Sequence, residues 1–176
     1  RSLSSAASDV YKRQLKNGRP SPVLIEMHRD HMTQEVSNFK QYNSPHQSKF
    51  FPTDDFIDSA VKLLVESENP IIWSGQGVLY SSATEELKEL SSLLSLPVIT
   101  TMPGKSSFDE RNPLSLGSAN RTAPKTVWKY LGISDTVFAI GSSLTITNYG
   151  ITIPEGKKII HSTNNYEDIN KDYDVE

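Results

Sequence analysis

From residue 53 onward, two kinds of segment follow one another along the chain. One is a short apolar run without intervening polar residues, and the other has the periodicity of an amphipathic helix. Strands are predicted over residues 71–75, 96–101, 136–141 and 157–161. A strand that is apolar on both faces must be covered on both faces, which favours a parallel sheet with helices on each side. Right-handed crossovers between such strands then predict a Rossmann-like, doubly wound α/β domain.

Three amphipathic helices are predicted around these strands. The first begins behind Thr53 as its N-cap, and the third spans residues 122–131. The second begins at Ser82 and Glu85, which have the spacing of a capping box. The residues expected to face the sheet are Phe56, Ile57, Ala60, Val61, Leu64, Ala83, Leu87, Leu90, Leu94, Val127, Trp128 and Leu131.

The first 52 residues lack this alternation. Residues 1–14 show neither helix nor strand periodicity, and we interpret them as a sequence artefact or as a natural disordered tail. Residues 23–27 form an apolar run of strand length. Residues 33–52 are polar and interrupted by Pro45 and Pro52, which predicts a linker. Its aromatic residues, Phe39, Tyr42, Phe50 and Phe51, suggest that it lies against a surface.

Composition excludes several kinds of site. The chain has 21 acidic and 18 basic residues, a net charge of −3, which argues against binding nucleic acid through overall charge. It has no cysteine, which excludes disulfides, thiolate zinc sites and a cysteine nucleophile. No apolar run approaches the ~20 residues that span a bilayer. We therefore expect a cytoplasmic protein that binds neither nucleic acid nor membrane.

Three glycine-bearing turns follow predicted strands. In a doubly wound sheet, ligands bind beyond the carboxyl ends of the strands, where the strand order reverses. Glycine lets the backbone approach a ligand closely, and the helix that opens at Ser82 offers unpaired N–H groups to an anion. The residues predicted to line a nucleotide crevice there are Gly75, Gln76, Gly77, Met102, Gly104, Lys105, Gly141, Ser142 and Ser143.

No catalytic or metal-binding constellation accompanies these turns. The third glycine of a dinucleotide fingerprint is replaced by Tyr80, and there is no Gly-Lys-Ser/Thr phosphate loop. His28 and His31 are three residues apart, but a solvated strand end explains them better than a metal site. His161 ends a predicted strand, where a core or rim histidine is expected. No serine lies in a Gly-x-Ser-x-Gly elbow.

Six segments occur in the order seen in thiamine-pyrophosphate-dependent enzymes of the acetolactate synthase type, which the chain resembles from about residue 16 to its end. They are GRPSPVLIE at 18–26, PIIWSGQGV at 70–78, LPVITTMPGK at 96–105, NPLSLG at 112–117, DTVFAIGSSLT at 135–145 and KIIH at 158–161.

The resemblance implies a division into domains. Residues 15–32 are similar to the last strand of an N-terminal, pyrimidine-binding domain, and residues 53–176 to a central Rossmann-like domain that is cut short. It further implies that the parent protein, a homo-oligomer, decarboxylates or ligates a 2-keto acid or acyl-CoA substrate. Thiamine diphosphate and Mg²⁺ would be bound by domains outside this chain, so the fragment itself would be a non-catalytic scaffold.

Two positions depart from the family pattern. Ser21 replaces a glycine, and Ser143 stands where acetolactate synthases have an arginine that contacts FAD, so tight flavin binding is not expected. Two other classes remain open. A free-standing nucleotide-binding module would have no chemistry of its own. An NAD-linked oxidoreductase would need an acid after the second strand, where the chain has Thr100 and Thr101.

Overall fold

The computed structural model of the chain describes residues 15, 18–24, 26–35 and 49–176. The chain divides into two units, Arg1–Phe51 and Pro52–Glu176. The second unit contains five strands, β1 (Pro70–Ser74), β2 (Val98–Thr101), β3 (Ser115–Ala119), β4 (Thr136–Ile140) and β5 (Lys158–Ser162). Its α-helices are α1 (Asp54–Glu66), α2 (Gly77–Tyr80), α3 (Thr84–Leu94) and α4 (Lys125–Ile133). Single 3-10 turns lie at Arg29–His31 and Tyr166–Asp168.

The five strands form one sheet in the order β3-β2-β1-β4-β5, and every neighbouring pair is parallel. Strand β1 lies at the centre, with Trp73 opposite Ile99 of β2 and Ala139 of β4. The chain moves outward from β1 in one direction and then returns to add β4 on its other side. This topology confirms the predicted doubly wound α/β fold.

Residues of β1 alternate between two buried clusters, one on each face of the sheet. Ile71 and Trp73 belong to the cluster that includes Val127 and Leu131 of α4. Ile72 belongs to the opposite cluster, which includes Leu87 of α3 with Val78, Leu96, Val98 and Phe108. Helices therefore cover both faces of the strand, which explains why its sequence is apolar without alternation.

Strand β3 was not among the predicted strands. Its sequence, SLGSA, contains only two apolar side chains, Leu116 and Ala119, and both are buried. Gly117 has a φ of +101°, and the pairing register with β2 shifts beside it. The strand is held at the edge of the sheet by backbone pairing and by a 3.0 Å hydrogen bond between the hydroxyls of Thr100 and Ser118. Because the apolar residues of this segment show no regular spacing, its sequence does not predict a strand.

The predicted capping box of the second helix is wrong. The N-cap of α3 is Ala83, and Ser82 has a φ of +56°. The reason is the short helix α2, whose last turn closes when the amides of Ser82 and Ala83 donate to Leu79 and Val78. Ser82 thus reverses the chain direction and cannot take the extended conformation of an N-cap.

Several residues predicted to face the sheet are exposed. On α1 only Leu64 is buried, because the helix meets the sheet along that side alone. Trp128 of α4 is 49% exposed, since Val127 and Leu131 already occupy the inner side of that helix. The other residues predicted as buried that the structure exposes are Phe56, Ile57, Val61 and Leu94.

The predicted strand at residues 23–27 is not formed by its described members. Val23, Leu24, Glu26 and Met27 lie outside any strand, and Ile25 is outside the described residues. A strand needs a hydrogen-bonded neighbour, and the described residues of the first unit contain no other strand to supply one.

Some of the predictions for the first 52 residues concern positions that the structure does not describe. Residues 1–14, with most of the predicted linker (residues 36–48, including Phe39, Tyr42 and Pro45), lie outside the described residues. Phe50 and Phe51 are 77% and 81% exposed, which contradicts the expected packing against a surface. Among the helices that the structure describes, none has the length and apolar character needed to cross a membrane.

Candidate functional site

The strand order reverses between β1 and β4, and two of the predicted glycine turns meet at this point. The amide of Gly75 donates to Ile140 O at 2.8 Å, and the amide of Gly77 donates to Gly141 O at 2.7 Å. The turn after β1 is therefore hydrogen-bonded directly to the end of β4. Because parallel strands carry their carboxyl ends to one edge, this junction lies where ligands of such sheets bind.

No side chain fits between these two turns. A Cβ atom at Gly75 would lie 2.2 Å from Gly141 O, and one at Gly77 would lie 2.6 Å from Gly141 Cα. Gly141 itself has a φ of +63°, a conformation that favours glycine. The three glycines are thus explained by close packing of backbone on backbone.

The third predicted turn is attached to the end of β1. A Cβ atom at Gly104 would lie 2.6 Å from Ser74 O. The hydroxyls of Ser74 and Ser107, both completely buried, are 2.6 Å apart. Sequence reasoning did not identify this pair, and its only signal was a serine ending an apolar strand.

The amides of all four crevice glycines are occupied. Gly75 and Gly77 donate across the junction, Gly104 donates to Thr101 Oγ1 at 3.0 Å, and Gly141 donates to Ser162 O at 2.8 Å. The four glycines therefore offer no free N–H group to a ligand. Their N–H groups already have protein acceptors, and a ligand would have to break those bonds.

Ser142 and Ser143 begin the loop that leaves β4. The ring Nε2 of His161 lies 2.8 Å from Ser142 O, and a carbonyl only accepts, so Nε2 carries the proton. The Nδ1 atom of His161 is buried and has no hydrogen-bond partner among the residues that the structure describes. The hydroxyl of Ser142 accepts from the amide of Leu144, and that of Ser143 accepts from Thr145 Oγ1 at 3.0 Å.

The remaining predicted residues, Gln76, Met102 and Lys105, are exposed. Gln76 is the N-cap of α2. Met102 is 53% exposed, and its sulfur accepts from Asn120 Nδ2 at 3.2 Å. Lys105 Nζ forms an ion pair with Glu110 Oε1 at 3.5 Å, so its charge is already partnered.

Two open clefts are lined by residues other than the glycines of the junction. One of about 360 Å³ lies along the loop after β2, lined by Lys105, Ser106, Phe108, Asp109, Glu110 and Arg111. There the hydrogen bond from the Arg111 side chain lowers the pKa of the Asp109 carboxyl. The other, of about 250 Å³, opens at the amino ends of β1 and β2 beside Pro70 and Pro97. That end of a parallel sheet is opposite to the one that binds ligands.

Among the described residues, no group of three or more His, Asp or Glu side chains is arranged to hold a metal ion. His28 Nδ1 lies 3.5 Å from Asp30 Oδ2, and both side chains are largely exposed. The rings of His28 and His31 are 6.3 Å apart in an edge-on arrangement.

Comparison with known proteins identifies related sequences. The family model described as "Thiamine pyrophosphate enzyme, central domain" matches residues 57–176. A probable acetolactate synthase large subunit from Methanococcus aeolicus is 34% identical over 170 residues, covering 92% of this chain and 28% of that protein. An acetolactate synthase large subunit from Corynebacterium glutamicum is 29% identical over 171 residues, covering 90% of this chain and 26% of that protein.

A relative with a different name is similar over almost as much of the sequence. A glyoxylate carboligase from Escherichia coli O157:H7 is 30% identical over 151 residues, covering 84% of this chain and 26% of that protein. The chain thus spans about a quarter of the length of these curated relatives.

Proposed function

Because the chain belongs to the thiamine pyrophosphate enzyme family, whose central domain it contains, we propose that its parent protein is a decarboxylase or carboligase of 2-keto acids. The observation that carries this proposal is the family match across residues 57–176, the segment that folds as the all-parallel sheet. Relatives named as acetolactate synthase subunits and as a glyoxylate carboligase support a small 2-keto acid substrate over an acyl-CoA.

Within that enzyme, the chain acts as a scaffold. Thiamine diphosphate supplies an electron sink for the carbanion chemistry, and the protein binds and orients it. The relatives are about four times as long as this chain, and we assign Mg²⁺ and the cofactor diphosphate to the parts of the parent that this chain does not cover. Its homo-oligomeric state and its cytoplasmic location stay predictions from the sequence.

The junction between β1 and β4 is proposed to be the floor of a weak adenine-nucleotide crevice. The amides of Gly75, Gly77 and Gly141 already donate to carbonyl groups of the protein. A nucleotide would therefore contact side chains of the surrounding loops. Ser143 provides one hydroxyl where an arginine would provide a bidentate partner for a diphosphate. Weak nucleotide binding or an empty crevice is therefore favoured over tight binding of FAD.

The test compares the parent protein with this chain. The parent is expected to consume pyruvate or glyoxylate only when thiamine diphosphate and Mg²⁺ are present. The isolated chain, under the same conditions, is expected to show no turnover above a heat-treated control. Activity of the parent without thiamine diphosphate would contradict the assigned chemistry, and turnover by the chain alone would contradict its role as a scaffold.

A further inference from the structure

Three helices end at the amino edge of the sheet. The helices α1, α3 and α4 lead into the parallel strands β1, β2 and β4, so their C-termini gather where these strands begin. A helix C-terminus carries roughly half a negative charge, which favours a cation nearby. In none of these described helices does the last turn contain a basic residue. The three helices therefore bring negative charge to this edge and do not offset it themselves.

The end of α4 receives its cation from a distant segment. Lys157, which precedes β5, donates from Nζ to the carbonyl of Gly132 at 3.4 Å and to that of Ser134. The end of α3 has no equivalent contact. No lysine of the described residues donates to the carbonyls of Leu93 or Leu94 in its last turn. The charge at the C-terminus of α3 is thus left for a group from outside the domain.

A cleft of about 250 Å³ lies between the ends of α3 and α4, at the amino ends of β1 and β2. Its apolar wall includes Pro97 together with Leu94 and Ile133, which are 39% and 54% exposed. Pockets that enclose small-molecule ligands have volumes of roughly 300–1,000 Å³. The size of this cleft therefore fits a single side chain better than a cofactor.

The turn between α1 and β1 places a carboxylate at the cleft. Glu68 lines the cleft, and the amides of Glu68 and Asn69 donate to the carboxylate of Asp135 at 2.7 and 3.0 Å, which fixes the turn. In the described part of the chain, no Lys, Arg or His side chain lies within ion-pair distance of Glu68. The ammonium of Lys129 lies 6.0 Å from the centre of the Tyr130 ring and does not pair with Glu68.

An apolar wall that ends at an unpaired carboxylate matches the shape of a basic side chain. Lysine and arginine lay their aliphatic stems along apolar surface and keep the charged group at the polar rim. An apolar side chain in the same place would take water from the carboxylate without giving it a partner, which is unfavourable. The charge at the cleft thus favours a basic occupant over an apolar one.

We propose that this cleft binds the side chain of a lysine or arginine from a polypeptide segment outside residues 1–176. The stem lies along Leu94 and Ile133, and the cation meets the carboxylate of Glu68 and the last carbonyls of α3. The site lies at the opposite edge of the sheet from the proposed nucleotide crevice. It therefore goes beyond the proposed function and does not depend on it.

The experiment titrates the full, ¹⁵N-labelled chain with the peptide acetyl-Gly-Lys-Gly-amide and follows the amide resonances of Asn69 and Ser95. A peptide with norleucine in place of lysine has a similar stem without the charge. The lysine peptide is expected to give saturable shifts, and the norleucine peptide to bind about two- to fivefold more weakly, the range of one exposed ion pair.

Two glutamate variants test the charge at the cleft. Glu68→Gln is expected to weaken the lysine peptide about two- to fivefold and to leave the norleucine peptide unchanged. Glu66→Gln is the matched control, because Glu66 is an exposed glutamate at the end of α1 that does not line the cleft. It is expected to bind both peptides as the unaltered chain does. Ile133→Ala, which shortens the apolar wall, is expected to weaken both peptides about threefold.

Each part of the proposal can fail separately. Equal affinity for the lysine and norleucine peptides would overturn the role of the charge, and equal losses in Glu68→Gln and Glu66→Gln would overturn the assignment to Glu68. Binding of n-butylammonium chloride without binding of the lysine peptide would identify a free amine as the occupant and overturn the polypeptide. No saturable shift with any probe would overturn the site, while the thiamine-dependent activity proposed for the parent would be unaffected.

Discussion

The amide of Gly77 donates to the carbonyl of Gly141 across 2.7 Å, which joins the turn after β1 to the turn after β4. The two strands on either side of the topological switch are thereby closed against each other by main-chain atoms. A ligand at this end of the sheet would rest on the junction and could not enter it. Specificity would then depend on side chains of the surrounding loops.

Substituting Gly75 with alanine is expected to destabilise the chain by about 1–3 kcal/mol, because the added Cβ would meet main-chain atoms that cannot turn aside. The matched control is Gly132→Ala in α4, where a Cβ would have nothing within 4 Å. That variant is expected to gain roughly 0.5–1 kcal/mol through helix propensity. Urea denaturation followed by circular dichroism measures both, and equal stability of Gly75→Ala and the unaltered chain would refute the tight junction.

Ser74→Ala and Ser107→Ala should each cost about 1–3 kcal/mol, since each leaves a buried hydroxyl without its partner. The double variant is expected to cost less than the sum of the two, because it removes both polar groups together. A double-mutant cycle of unfolding free energies tests this expectation. Strictly additive values would show that the 2.6 Å contact contributes nothing to stability.

Asp135 couples the stability of the fold to pH. Its carboxylate accepts from the amides of Glu68 at 2.7 Å and Asn69 at 3.0 Å. Burial, the largest single influence, acts to raise the pKa of Asp135, but several backbone N–H bonds outweigh it and lower the pKa. The carboxylate therefore stabilises the fold above about pH 4, the ordinary range of an aspartate, and this contribution is lost as the pH falls through the lowered pKa.

Accordingly, Asp135→Asn is expected to lose about 1–3 kcal/mol of unfolding free energy at neutral pH. The difference from the unaltered chain should shrink as both are titrated below about pH 4. Asp109→Asn is the control, because its ion pair with Arg111 is exposed to solvent and should contribute little to stability. A loss in Asp135→Asn that persists unchanged in acid would contradict the assigned cause.

The chain is expected to purify without flavin, because Ser143 cannot supply a bidentate contact to the diphosphate. A Ser143→Arg variant should bind FAD about tenfold more tightly than the unaltered chain, by one charge-assisted contact. Fluorescence titration with FAD measures the two affinities. A yellow preparation that releases stoichiometric flavin on denaturation would show that serine at this position suffices.

Deletion of residues 1–52 is expected to give a more monodisperse protein. Exposed apolar side chains before α1 include Leu24, Met27, Phe50 and Phe51, and apolar side chains in contact with water favour association. Size-exclusion chromatography of the two proteins at equal concentration makes the comparison. A broader or earlier peak for the shortened protein would argue against residue 53 as the start of an independent unit.

The strands β1 and β4 could be predicted because both faces of each strand are covered. Residues such as Ile72 and Val137 are buried, and the sequence of each strand is a continuous apolar run. Strand β3 could not be predicted, because Ser115, Gly117 and Ser118 interrupt any regular spacing of apolar residues. Helical periodicity located α1 but did not show how much of its apolar face the sheet covers. Phe56, which is 71% exposed, illustrates the difference.

The place of the candidate site followed from parallel topology, because every strand delivers its carboxyl end to the same edge. The chemistry of the site could not be predicted in the same way, because the acceptors of the glycine amides belong to segments distant in sequence. Ser162 O, which accepts from Gly141, is one such partner. A sequence pattern identifies residues that permit a close approach without identifying which atoms make it.

The central position of β1 also affects how the chain folds while it is being synthesised. Trp73 pairs with Ile99 on one side and with Ala139 on the other, and β4 leaves the ribosome long after β1 and β2. Until then, a strand that is apolar on both faces has one unpaired edge, which is a template for pairing with another nascent chain. Because this non-local contact completes the sheet, its formation sets how long that edge stays open to other nascent chains.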